Sequence, residues 1–178
     1  MIDHTDDGLR AAIKALDEVV APAIDTANPL AVEQLRLVSR FLGFLRSRIP
    51  YEHARARHEL HHYLGLAQTL VTLAPNDAPV RSRDAIGAAI HSATPVLHEA
   101  SASAQQIQSA IASLSSATSA LVREVAVASP AVRAPIERAV VLAAQQLLDA
   151  QRAWFLPMGF EPDPRCVPSI NEALRTTH

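Results

Sequence analysis

The sequence predicts an all-α fold: an up-and-down bundle of about five helices, one of them overlong and central, with an irregular Pro-rich C-terminal tail. Three observations carry this expectation. Glycine is scarce at 5 of 178 residues, and Val and Ile are scattered rather than set in alternating runs, which favours helix over sheet. Apolar residues recur instead at three- and four-residue steps, the spacing that keeps one stripe on one side of a helix. Prolines also follow capping residues at Asn28-Pro29, Thr94-Pro95 and Ser129-Pro130, pairs that restart helices.

In order, Thr5 can cap a first helix, with Asp6 and Asp7 in the turn where the helix dipole favours negative charge. Leu9, Ile13, Leu16 and Val20 form its stripe, and Pro22 ends or kinks it. A second helix over 29–48 carries two seams, Leu35, Val38, Leu42, Leu45 and Ile49 beside Leu37, Phe41 and Phe44, so two neighbours are expected. Pro50 breaks the chain before a third helix over 51–74, whose Leu60, Tyr63, Leu64, Ala67, Leu70 and Val71 face inward.

Pro75, Asn76, Asp77 and Pro79 mark a loop, and a short helix is expected from Arg83 to Ala93. Thr94-Pro95 then starts or kinks the central helix, which runs to Val127 on Leu97, Ala100, Ala104, Ile107, Ile111, Leu114, Thr118, Leu121 and Val125. Charge is absent from Ala100 to Val122. A solvated helix normally carries charge outside, so this one is expected to be sheathed by protein on nearly all sides. Its length of ~50 Å, against ~25–35 Å for the others, calls for a bend or an overhang that pairs with another subunit.

The last long helix begins at Ser129-Pro130, with a seam of Ile136, Val140, Ala143, Leu147, Ala150 and Trp154. Small residues in both seams predict that it packs closely against the central helix. Pro157, Pro162, Pro164 and Pro168 then forbid another long helix, leaving a short turn after Ser169. Trp154, Phe155, Met158 and Phe160 are costly in water, so the tail, 155–178, is expected to fold back on the bundle. At this length one domain over 1–178 is expected.

Composition narrows function without fixing it. A formal net charge of −2 implies neither nucleic acid nor an anionic membrane surface as partner. No segment has the ~18 apolar residues of a membrane span, and the acidic start is unlike a signal peptide. A cytoplasmic location is therefore expected. Cys166 is the single cysteine, which excludes an intrachain disulfide and a Cys-based metal cluster.

Three constellations point to chemistry. His58, Glu59, Leu60, His61 and His62 satisfy His-Glu-x-x-His, in which two imidazoles one turn apart grip zinc and the Glu acts as base toward a metal-bound water. Against it, no third ligand follows at a diagnostic offset. A rotation of 100° per residue also puts His58 and His62 roughly 140–180° from the apolar stripe, an expectation of solvated histidines. The same rotation puts His53 within about 40° of the stripe centre, where with His91 and His98 it could line a pocket. Arg36 and Arg40, one turn apart, could together hold a phosphate or carboxylate.

The leading expectation is a non-catalytic module that self-associates, as a homo-oligomer, or binds a partner through the uncharged central helix. The alternatives are a metal-dependent hydrolase with His58 and His62 as ligands and Glu59 as base, and a binder of an apolar, acidic small molecule between helices. Whether the chain is an enzyme stays open.

Overall fold

A computed structural model of the chain describes residues 4–74 and 80–175. It is all-α, with no strand among the described residues. The helices are α1 (His4–Ala15), α2 (Ala21–Ala23), α3 (Pro29–Arg48), α4 (Glu52–Leu73), α5 (Val80–His98), α6 (Ala104–Val125), α7 (Pro130–Phe155) and α8 (Ile170–Ala173). The expected loop at Pro75, Asn76, Asp77 and Pro79 lies outside the described residues. None of the described helices is long and apolar enough to cross a membrane. By its contacts the chain divides into two compact units, Met1–Glu52 with Trp154–Val167 and His53–Ala153 with Pro168–His178.

In the first unit α1 packs on α3 through half-buried Leu9, Ile13 and Leu16. Pro22 neither ends the helix at once nor leaves it regular. Leu16–Val20 widens into a π turn closed by the Ala21 amide on the Leu16 carbonyl, which relieves the proline ring's clash with the preceding turn. Arg46 fastens the far end of α1 with a fork on Asp6, at 2.6 and 3.2 Å, and holds that carboxyl below its ordinary pKa. At Asn28 the side chain accepts from the Ala31 amide and Pro29 opens α3, the expected cap.

The tail is held by two arginines of α3. Arg48 is buried, its Nε donating to the Trp154 carbonyl at 2.7 Å and its guanidinium lying 5.9 Å from the indole centroid. Burial pushes its pKa down, but the carbonyl bond and the π face keep the cation solvated by protein. Arg40 donates to the Met158 carbonyl and stands over Phe160. Phe44 is the centre of this cluster, stacked on Phe155 at 5.7 Å and edge-on to Trp154 at 6.5 Å. The second expected seam of α3 is only partly covered: Phe44 is buried, whereas Leu37 and Phe41 are exposed.

The second unit holds the larger core. Leu60 and Leu70 of α4, Ile86 of α5, Ile107, Leu114 and Leu121 of α6, and Ile136 of α7 are completely buried, each contributing about 1.5–3 kcal/mol by its removal from water. The most extensive backbone packing among the described helices is between α5 and α6. Buried Ala89, Ala93, Ala110 and Ala117 present no side chain beyond Cβ and so permit that packing.

The central helix is where the expectation needs most correction. The chain does not restart at Thr94-Pro95: the Thr94 hydroxyl donates back to the Ile90 carbonyl, and α5 continues through Pro95 to His98. The break falls instead at residues 99–103, where Ser103 and Gln106 form a reciprocal capping box that opens α6. The stretch expected as one helix over 95–127 thus holds the last turn of α5 and all of α6, which packs back along α5 rather than α7. Nor is α6 sheathed. Its stripe of Ile107, Ile111, Leu114, Thr118, Leu121 and Val125 is buried, but Gln105, Gln108, Ser109, Ala112, Ser113 and Ser116 are exposed. The uncharged outer face meets solvent because hydroxyls and amides hydrate well enough without charge.

Candidate functional site

The site is built on α4, one side of which feeds the core while the other meets the C-terminal segment. His58 lies opposite Leu60 and Leu64, as the helical rotation requires, yet it is only 6% exposed. The expectation that it would be solvated is wrong because α4 is covered on both sides. Leu174 lies against it, and Gln146 of α7 pairs with the neighbouring His62. Conversely His53, in line with the apolar stripe, is exposed. It stands in the first turn of α4, ahead of the half-buried Ala56 and the fully buried Leu60 where packing begins.

His58, His61 and His62 form a compact array. The rings of His58 and His62 meet edge to face with centroids 4.4 Å apart, and His61 lies 6.1 Å from His62. Neither ring nitrogen of His58 makes a well-aligned hydrogen bond among the described residues, although the Leu174 backbone comes close enough to interact with the ring. Desolvation first, and then the positive charge that His62 and His61 can carry, push its pKa down to about 4, with the Leu174 backbone pulling the other way. His62 is lowered by the same burial and by His61, against the opposing bond to Gln146. At neutral pH His58 is a neutral imidazole with at least one ring nitrogen left without a partner among the described residues.

His58 forms part of the wall of a cleft of about 700 Å³, along with His53, Arg57, His61, Gln68 and His98. Leu64, Leu97 and Leu174 supply apolar surface, and among the described residues no Asp or Glu lines the cleft. Arg57 is oriented by the C-terminal end of α5. Its Nη1 donates to the Glu99 carbonyl at 2.9 Å and its Nη2 to the Leu97 carbonyl. These acceptors are carbonyls rather than carboxylates, so the wall keeps its positive charge. A second cleft of about 390 Å³ lies beside the first, lined by His61, His62, Gln146 and Arg175, with His61 and Gly65 common to both.

The structure brings His53 and His98 to one cleft with His58. It does not bring His91, which is absent from the lining. His58 and His62 adjoin, with Glu59 half-buried beside them, but among the described residues no group of three or more His, Cys, Asp or Glu is arranged to hold a metal ion. Arg36 and Arg40 do not converge on an anion. Arg36 forks onto Glu33 at 2.8 and 2.9 Å, and Arg40 is engaged by Met158. The residues sequence reasoning passed over are Arg57, His61, Gln146 and Leu174. Of these only Arg57 left a signal, as one of six arginines between Arg36 and Arg57.

The class these features define is an all-α protein with a histidine-walled, acid-free cleft between helices. The chain matches no known protein family, and no curated protein or solved structure matches it.

Proposed function

We propose that the cleft beside α4 binds a small organic anion, a carboxylate or phosphate ester with an apolar portion. The observation that supports this is the buried His58 ring with no well-aligned hydrogen bond to either nitrogen among the described residues, in a wall that carries Arg57 and, among the described residues, no carboxylate. A buried polar group without a partner costs roughly 1–3 kcal/mol, and a ligand that offers it a donor or acceptor recovers that cost. The anion falls to Arg57, and the apolar portion to Leu64, Leu97 and Leu174. This keeps the acidic small molecule expected from the sequence but moves its anchor away from Arg36 and Arg40.

The test is a thermal-shift and calorimetric comparison of benzoate and phenyl phosphate with neutral benzyl alcohol. Binding to the folded state alone must raise the melting temperature. The anions should stabilise the protein, and His58→Leu and Arg57→Gln should each remove the effect. Equal responses to the neutral and charged probes would sink the reading.

A second reading, homo-oligomerisation in a cytoplasmic setting, draws on a different surface from the one first expected. Leu30, Leu37 and Phe41 fall on one side of α3 and are 68%, 42% and 49% exposed, a stripe that suits a second copy of the chain. Light scattering should report a dimer that Phe41→Glu dissociates; a monomer at high concentration removes it.

A further inference from the structure

A separate groove runs along α6 on the side facing α4 and α7. Ser115, Thr118, Ser119, Val122 and Arg123 line it from α6, recurring at helical spacing over ~12 Å of axis. Leu66 of α4 with Val140 and Leu147 of α7 supply apolar walls, and the volume is about 430 Å³, within the range of small-molecule sites. Among the described residues no Asp or Glu lines it. Beside the hydroxyls of Tyr63, Ser115 and Ser119, two polar groups stand out in the lining. The Thr118 residue is only 6% exposed, and its hydroxyl is buried with no hydrogen-bond partner among the described residues. Arg123, exposed at the rim, lies five residues on, ~7.5 Å along the axis.

We propose that this groove binds an otherwise apolar monocarboxylic acid that carries a hydroxyl at its far end, with the carboxylate on Arg123 and the hydroxyl on Thr118. The charge at the rim selects the acid. The orphaned hydroxyl selects the second polar group, because a purely apolar ligand would leave Thr118 buried and unsatisfied. The half-buried seam of α7 provides the wall that a flat or extended body lies against. The site shares no residue with the cleft at His58, and only Leu66 and Ala143 with the smaller cleft at His62.

The test is calorimetric titration of the full chain with 4-hydroxycinnamate, a rigid probe of suitable length, against cinnamate and 4-vinylphenol. The titration is made in the His58→Leu protein, or in Arg57→Gln if that variant melts early, so that the histidine cleft does not contribute. There one 4-hydroxycinnamate should bind per chain, with cinnamate and 4-vinylphenol each weaker by about tenfold or more. Adding Thr118→Val should equalise 4-hydroxycinnamate and cinnamate, and adding Arg123→Gln should equalise 4-hydroxycinnamate and 4-vinylphenol. Adding Leu147→Trp, which fills the groove, should abolish binding; Ala144→Leu does the same duty if the tryptophan variant melts early. Absence of 4-hydroxycinnamate binding in that background overturns the proposal, as does binding there that survives both filling variants or a Thr118→Val loss equal for both acids.

Discussion

The His58 and His62 rings, one helical turn apart on α4, sit edge to face at 4.4 Å with burial pressing both toward the neutral form. This contact is incompatible with two charges. In the unfolded chain His58 takes up a proton near its ordinary pKa of 6.5, whereas in the folded protein it does so only near about 4. The unfolded state therefore binds more protons as pH falls through that window. Stability should be flat above pH ~7 and fall between 6.5 and 4, by about 3 kcal/mol from His58 alone. Urea melts against pH should show this slope, and His58→Leu should flatten it. Asp6 and Glu33, whose pKa values are lowered, lose their contribution as pH falls below the ordinary carboxylate range, so the two windows separate.

Arg57 closes the end of α5 by donating to the Leu97 and Glu99 carbonyls. Charged hydrogen bonds of this kind contribute about 1.5–3 kcal/mol. Arg57→Ala should lower the unfolding free energy by about 2 kcal/mol in urea, and Arg57→Lys should restore only part of it, because an ammonium cannot fork across two carbonyls.

Gly159 has φ of +70°, and a Cβ there would stand 2.5 Å from Nη2 of Arg40. The long arginine can swing aside, but then Met158 loses its donor. Gly159→Ala should cost about 1–2 kcal/mol from backbone strain and that lost bond together. The emission of Trp154, the single tryptophan, should shift to the red if the tail loosens.

Leu114 is fully buried at the centre of the α6 stripe. Leu114→Ala should destabilise the second unit by about 2–5 kcal/mol, removing both transfer free energy and packing. Phe44→Ala should cost the first unit about 3–5 kcal/mol in the same way, and comparison of the two melts would reveal whether the units unfold together.

Much of the fold was legible because it rests on local rules. Asn28-Pro29, Ser129-Pro130 and the α6 stripe behave as spacing and capping require, whereas Trp154 of the tail is buried but Phe155 and Phe160 stay exposed. The break before α6 was legible too, in Ser103-x-x-Gln106, but the louder Thr94-Pro95 pair drew attention from it. Pro95 removes one backbone donor near the end of α5 yet does not stop the helix there, and a capping box four residues wide is easily overlooked in a Ser/Ala run. The site was less legible for a different reason. The angle of His58 about α4 follows from sequence, but its burial depends on Leu174, 116 positions away, and no periodicity within one helix reports what lies over its other side.

Both units are built from segments far apart in the chain, which passes from one to the other after Glu52, after Ala153 and after Val167. During synthesis α1 and α3 leave the ribosome early, yet Phe44 and Arg48 must wait more than a hundred residues for Trp154. At about 5–20 residues per second that is several seconds of exposed aromatic surface, a window in which a nascent chain would need a chaperone's cover.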